Sequence, residues 1–148
     1  MWRAVGAVVA GYVVIALFVM VCFTLAWLVL GPGFAFEPGT TKVTAGWLLL
    51  ATPVNLAAAL LGGWTAGAVG RDGRGAAVKV LAGIVLGLGL ILAFLHLGVK
   101  PALPPPGLDL STFQAASYAI QPKWFDFFVA ILGGAGVLVG GCLRSRTS

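Results

Sequence analysis

The stretch TAGWLLLATPVNLAAALLGGWTAGAV, Thr44–Val69, runs for 26 residues without one charged side chain. Wound as an α-helix at 1.5 Å per residue it is about 39 Å long, more than the ~30 Å of hydrocarbon in a bilayer. Pro53 removes a backbone donor from its interior and predicts a kink that frees the carbonyl of Leu49. Thr52 and Asn55 place polar atoms near mid-membrane, where an amide without a partner costs several kcal/mol. Further along, Gly62, Gly63 and Gly67 leave the helix surface nearly bare.

Three other stretches share this character: Ala4–Leu30, Ala76–Gly98 and Trp124–Leu143. They are separated by Gly31-Pro32-Gly33 with Glu37-Pro38-Gly39, by Gly70-Arg71-Asp72-Gly73-Arg74-Gly75, and by Lys100-Pro101 through Lys123. Glycine, proline and charge are what let backbone leave a membrane. The fold class is therefore an all-α membrane protein, one domain of four transmembrane helices over residues 1–148 with outer loops at 31–43 and 99–123. Composition agrees: of 148 residues, 60% are hydrophobic and 9% charged, and mean hydropathy is +1.06. A water-soluble fold of this size cannot hide that much apolar surface, and a disordered chain needs the opposite balance. Two cysteines do not make a disulfide scaffold. Cys22 and Cys142 belong to opposite membrane depths, roughly 25 Å apart by helix rise and beyond the ~7 Å a bridge allows.

Arg3 ahead of an apolar run imitates a signal peptide, but the run is about 26 residues against ~7–15 in a cleavable h-region. A retained anchor is expected; cleavage after Gly33-Phe34-Ala35 is the alternative, and bulky Val21 disfavours lipoprotein processing at Cys22. Charge sets the orientation. Arg3, Arg71, Arg74, Lys79, Arg144 and Arg146 fall on one side, and Lys42, Lys100 and Lys123 on the other. By the positive-inside rule both termini are cytoplasmic, and the net charge of +5 faces anionic headgroups there rather than nucleic acid. The tryptophans fit: Trp2 and Trp64 fall near the cytoplasmic boundary, and Trp27, Trp47 and Trp124 near the outer one.

The short link after Gly70 makes the second and third spans antiparallel neighbours. In the last outer loop Pro104-Pro105-Pro106-Gly107 predicts a stiff extended segment. Ser111 and Gln114 then have capping-box spacing, and the pattern predicts a short amphipathic helix over Thr112–Ile120 that ends before Pro122. It reads as a cap on the bundle or as a gating lid. Ala59–Gly63 and Ala130–Gly134 are near repeats, each followed by a closing arginine, Arg71 or Arg144, as a two-fold duplication would produce.

Glycines at i, i+4 let helix backbones approach closely, which marks Gly63/Gly67, Gly83/Gly87 and Gly136/Gly140 as packing positions, with Gly133 and Gly134 beside them at mid-membrane. Thr52 and Asn55 form the one deep polar group. Either Asn55 fixes register by an interhelical hydrogen bond worth ~1 kcal/mol, or it faces a cavity walled by small residues, as in transporters. His96 and Asp126 come at one outer level and, with Lys100, Lys123, Glu37 and Asp109, predict an outer polar ring. Asp126 there suits the positive end of its helix dipole. One histidine is too few for a metal site, so no metal is expected. Cys22 reads as a small buried packing residue, and Cys142 as a candidate for acylation next to the membrane.

The segment Leu61-Gly62-Gly63-Trp64-Thr65-Ala66-Gly67, with Arg71 just beyond, resembles the Gly-Gly-aromatic-x-Ala-Gly pattern that closes helices in small uncharacterised four-helix membrane proteins of bacteria. That resemblance implies the same architecture and carries no activity or cofactor. The dominance of Ala, Gly, Val and Leu suits a bacterial cytoplasmic membrane protein encoded by a GC-rich genome. Small multidrug exporters have similar size and span count but carry a glutamate in their first helix, which has no acid here. No charge lies at the hydrocarbon centre, which argues against a proton relay, a voltage sensor or a cation-coupled pump. With no nucleotide-phosphate loop, CxxC or paired carboxylates, neither an enzyme nor a bound cofactor is expected. The leading expectation is an accessory, assembly or scaffold subunit that meets lipids and a membrane-protein partner or a second copy. The alternative is a carrier or channel subunit for a small neutral or lipid-like substrate.

Overall fold

A computed structural model describes residues 2–38, 40–70, 75–98 and 119–146. They form helices α1 (Trp2–Leu30), α2 (Pro32–Ala35), α3 (Ala45–Gly70), α4 (Ala76–Gly98) and α5 (Lys123–Arg146). All but α2 are long and apolar enough to cross a membrane. Their ends lie within three residues of the stretches read from sequence. α3 continues unbroken through Pro53. It is started by Thr44, whose Oγ1 accepts from Trp47 N at 3.2 Å and donates to Phe34 O at 2.5 Å. One hydroxyl thus caps α3 and holds α2 against its entrance. Gly31, at φ +72°, makes the left-handed step between α1 and α2.

The outer loops are joined by backbone. Phe36 and Val43 form an antiparallel bridge, and Lys42 and Ile120 a parallel one. In the latter, Ile120 N donates to Thr41 O at 2.8 Å and Val43 N to Ile120 O at 3.0 Å. Of the helix predicted over Thr112–Ile120, residues 112–118 lie outside the described residues, as does the triple-proline segment. The last two positions, Ala119 and Ile120, are not helical, because Ile120 is committed to the bridge with Lys42.

The order of helices in the bundle differs from their order in the chain. α3 packs against α1 on one side and α5 on the other, and α4 packs mainly on α5. α3 and α4 do touch, yet the short link between them does not make them principal partners. Facing residues give the directions. Gly11 meets Gly62, while Trp27 meets Trp47, so α1 and α3 are antiparallel. Ala59 meets Gly136 and Gly67 meets Arg144, so α3 and α5 run parallel. Gly141 meets Val78 and Phe127 meets Phe94, so α4 and α5 are antiparallel. Trp2, Gly70, Ala76 and Arg146 therefore share one end of the bundle, here called the basic end, and the bridged loops occupy the other.

Packing changes with depth. Among the described residues ten of the fourteen buried apolar ones are alanine, so contact depends on close approach of backbones rather than on side-chain volume. Val78, Leu81, Phe125 and Val137 are the exceptions, and Leu81 and Val137 are fully buried with Ala59, Ala66, Val78 and Ala82 around them. Toward the loop end, rings fill the space instead. Phe23, Trp27, Phe36 and Trp47 interlock between α1, α3 and the first loop. Phe94 meets Phe127 edge-on across α4 and α5, with ring centroids 5.2 Å apart.

The closest approach is between α3 and α5. A Cβ on Gly63 would fall on the carbonyl oxygen of Val137, and one on Gly140 on the carbonyl oxygen of Leu60. Gly63→Ala is accordingly expected to force the helices apart and to lower stability by about 1–3 kcal/mol. Gly83→Ala, where a Cβ meets nothing within 4 Å, should be neutral or stabilising by up to ~1 kcal/mol through helix propensity. Thermal unfolding of both variants in detergent checks the contrast, and equal effects would contradict it.

Candidate functional site

Most of the glycines read as packing positions meet another helix. Gly63, Gly67, Gly136 and Gly140 line the α3–α5 contact, and Gly133 and Gly134 face Val85 and Leu86 of α4. Gly83 and Gly87 are different: among the described residues no atom of another part of the chain lies within 4 Å of where a Cβ on either would stand. Other positions of the same kind were not picked out by GxxxG spacing. A Cβ on Gly11 would lie 2.6 Å from Leu81 Cδ2 and 2.8 Å from Gly62 O, and one on Gly62 would lie 2.9 Å from Gly11 O. Gly89 and Gly141 likewise press on Ala130 and Val78. The signal for the α1–α3 crossing was present as small-xxx-small pairs, Ala7/Gly11 and Gly62/Ala66, in which alanine stands for one glycine.

The deep polar group turns onto its own helix. Asn55 Nδ2 donates to Ala51 O at 2.8 Å and Thr52 Oγ1 to Leu48 O at 2.9 Å. Both are bonds to the carbonyl four residues back, which satisfy a polar side chain without a neighbouring helix. Asn55 is half-buried, on the helix face that also carries Ala51, Ala58 and Gly62. Among the described residues its amide hydrogen-bonds to no other helix.

At the loop end, His96 in the last turn of α4 and Asp126 in the first turn of α5 stand 3.4 Å apart, Nδ1 to Oδ2. The other carboxylate oxygen, Oδ1, accepts from Gln121 Nε2 at 2.6 Å. Lys123 Nζ reaches the carbonyl of Leu97 at 3.4 Å, beside the exposed C-terminus of α4, where a cation is favoured. Asp126 is largely covered, with a side chain 15% exposed, whereas His96 is 57% exposed. Glu37 stays in the first loop, where its backbone pairs with Lys42 and Thr40, and Lys100 and Asp109 lie outside the described residues. Gln121 was not singled out from sequence. Its clue is position, a long amide just ahead of Pro122 at a helix start, five residues before the only acid of α5.

The arrangement orders the loop end and holds the imidazole at its edge. Among the described residues no three His, Cys, Asp or Glu side chains converge as a metal site requires. Both cysteines are free, Cys22 half-buried in α1 and Cys142 exposed near the basic end. A third feature lies between α3 and α5 at that end. It is an apolar groove of about 310 Å³ lined by Leu60, Leu61, Trp64, Gly140 and Leu143. The Arg144 guanidinium is stacked over Trp64, 5.5 Å from the ring centroid. Comparison with protein-family models, curated proteins and solved structures gives no match to this chain.

The short Gln121–Asp126 bond and the long His96–Asp126 contact make a graded prediction. Gln121→Ala should lower stability by about 1.5–3 kcal/mol, as for a hydrogen bond to a charged group. His96→Ala should cost at most ~1 kcal/mol, as for an exposed ion pair. Thermal unfolding of the two variants at neutral pH measures both, and the reverse order would remove Gln121 from its place as principal partner.

Proposed function

We propose that this chain is a non-catalytic accessory or scaffold subunit of a bacterial cytoplasmic membrane, docking another membrane helix on the α4 face that carries Gly83 and Gly87. One observation carries the reading. In the other two GxxxG pairs, Gly63/Gly67 and Gly136/Gly140, every glycine faces a helix of the same chain, whereas among the described residues nothing stands within 4 Å of where a Cβ on Gly83 or Gly87 would lie. Val80, Ile84, Leu88 and Ile91 flank them and are exposed. Lipid tails are as apolar as these side chains, so helix association in a bilayer rests on shape, and a bare glycine pair is where a second backbone packs closest. Asn55, the residue that a cavity would need, is already bonded to its own helix.

The partner helix is tested by native mass spectrometry of the tagged protein extracted gently from its membranes. The wild type should come out as a defined heteromer, and the Gly83→Leu/Gly87→Leu variant as a monomer of unchanged thermal stability. Leucine there enters open space, so loss of the partner without loss of fold is the expected signature. A lone wild-type monomer, or a heteromer that survives the double substitution, would overturn the reading; a homo-oligomer would replace the partner by a second copy.

Orientation belongs to the same proposal, with both termini and the Gly70–Gly75 link in the cytoplasm. The six cations on that side against three on the other support it. Exposed Cys142 reports it directly. In a Cys22→Ser background, a membrane-impermeant maleimide should label Cys142 in inverted vesicles and leave it unlabelled in intact spheroplasts. The opposite pattern would invert the topology.

A further inference from the structure

We propose that the helix docking on the α4 face carries a carboxylate, Asp or Glu, one turn inside its end at the basic side of the bundle, and that Lys79 receives it. The inference rests on the docking reading given for Gly83 and Gly87 and names the chemistry of that partner. Lys79 stands four residues before Gly83 and eight before Gly87, so it lies on the same side of α4, one turn nearer the basic end. It is exposed, as are Val80, Ile84 and Leu88 beside the glycines. Among the described residues no acid or ring meets its ammonium. The face therefore ends in a cation that its own chain leaves without a counter-charge.

Depth and charge select the occupant. Wound at 1.5 Å per residue α4 is about 35 Å long, and Lys79 comes about 4.5 Å from its start, at the edge of the ~30 Å of hydrocarbon. A carboxylate at that level, on a helix packed against Gly83, is screened less than one in bulk water. The pair then fixes the depth and direction of the partner, which glycine contacts alone do not. The same cation disfavours a second copy of this chain. Copies share one orientation in a membrane, so a two-fold contact through Gly83 and Gly87 sets Lys79 against Lys79 at one depth. Nor does another helix of a second copy bring a carboxylate there. At the basic end α1 brings Arg3, and α5 brings Arg144 and Arg146. The four acids of the chain are Asp126, at the opposite end of α5, and Glu37, Asp72 and Asp109, outside the four spans. Charge complementarity thus points to a different chain.

The test uses a synthetic membrane-spanning peptide, an alanine–leucine helix with one GxxxG pair and a single variable residue, Glu, Gln or Lys, one turn inside one end. The full-length protein is reconstituted with it in dioleoylphosphatidylcholine vesicles, and association is read by energy transfer from the protein's tryptophans to a dansyl group on the peptide. The Glu peptide should bind about fivefold tighter than the Gln peptide, equivalent to ~1 kcal/mol, and the Lys peptide more weakly than either. Lys79→Gln should bring the Glu and Gln peptides to within about twofold of each other. Arg3→Gln removes the same charge from the same end and should leave the difference in place, while Gly83→Leu/Gly87→Leu should weaken all three. Equal binding of the Glu and Gln peptides by the wild type would overturn the inference. So would equal losses from Arg3→Gln and Lys79→Gln, which mark diffuse charge. Phosphatidylglycerol retained by the wild type in native mass spectra and lost from Lys79→Gln, without discrimination among the peptides, would give Lys79 to a lipid headgroup and overturn it equally. The native heteromer separates this inference from the docking reading. A heteromer that depends on Gly83 and Gly87 but survives Lys79→Glu leaves the docking reading standing and sinks the carboxylate. Discrimination among the peptides with no native heteromer overturns the docking reading alone.

Discussion

Two adjacent glycines on one helix, Gly62 and Gly63, are the constraint on which this bundle depends. Neighbouring residues of an α-helix point about 100° apart, so the pair opens two faces of α3 at one depth. Gly62 takes the backbone of α1 at Gly11, and Gly63 takes that of α5 at Val137. α3 is thereby central, although it is the second span in the chain. α4 follows from α5, along a seam where Gly133, Gly134 and Gly141 receive Val85, Leu86 and Val78. Leu81 fills the space that remains near Gly11 and Ala66. Burial of apolar surface does not drive these contacts in a bilayer, so their stability rests on dispersion between surfaces that fit closely.

Polar groups are handled with the same economy of contact between helices. Thr52, Asn55 and Thr65 each bond the carbonyl four residues back on α3, a contact that does not depend on where the neighbours stand. Helix spacing at this depth is set by the glycine contacts. At the loop end, where water is near, side chains act across elements. Gln121, Asp126 and His96 tie the start of α5 to the end of α4, and the Lys42–Ile120 bridge ties the two loops together. The loop end is thus held by backbone and polar pairing, and the middle by shape.

Small residues then serve two ends in one chain. Buried against a neighbour, as at Gly63, they set helix spacing. On an open face, as at Gly83 and Gly87, they leave backbone accessible. The first use accounts for the fold, and the second is the face proposed for a partner helix. Among the described residues no cluster converges that would hold a metal, and at mid-depth Thr52 and Asn55 each bond a carbonyl of their own helix.

Four spans, their lengths, the charge asymmetry between the two ends and the levels of His96 and Asp126 were all legible in the sequence, because each depends on composition along the chain axis. What lies around the axis was not. In a water-soluble helix an apolar stripe announces the buried side, but here core and lipid are both apolar and the helices are hydrophobic all round. Nothing in spacing alone distinguishes Gly83, which meets nothing, from Gly63, which meets a carbonyl. Gly11 and Gly62 were hidden for a related reason, since alanine completes their pairs as well as glycine does. Only the tertiary structure decided that α5 comes between α3 and α4, that Asn55 turns inward on its own helix, and which glycines remain bare. Those outcomes depend on how surfaces match at van der Waals distance, and a pattern of hydrophobicity does not encode that match.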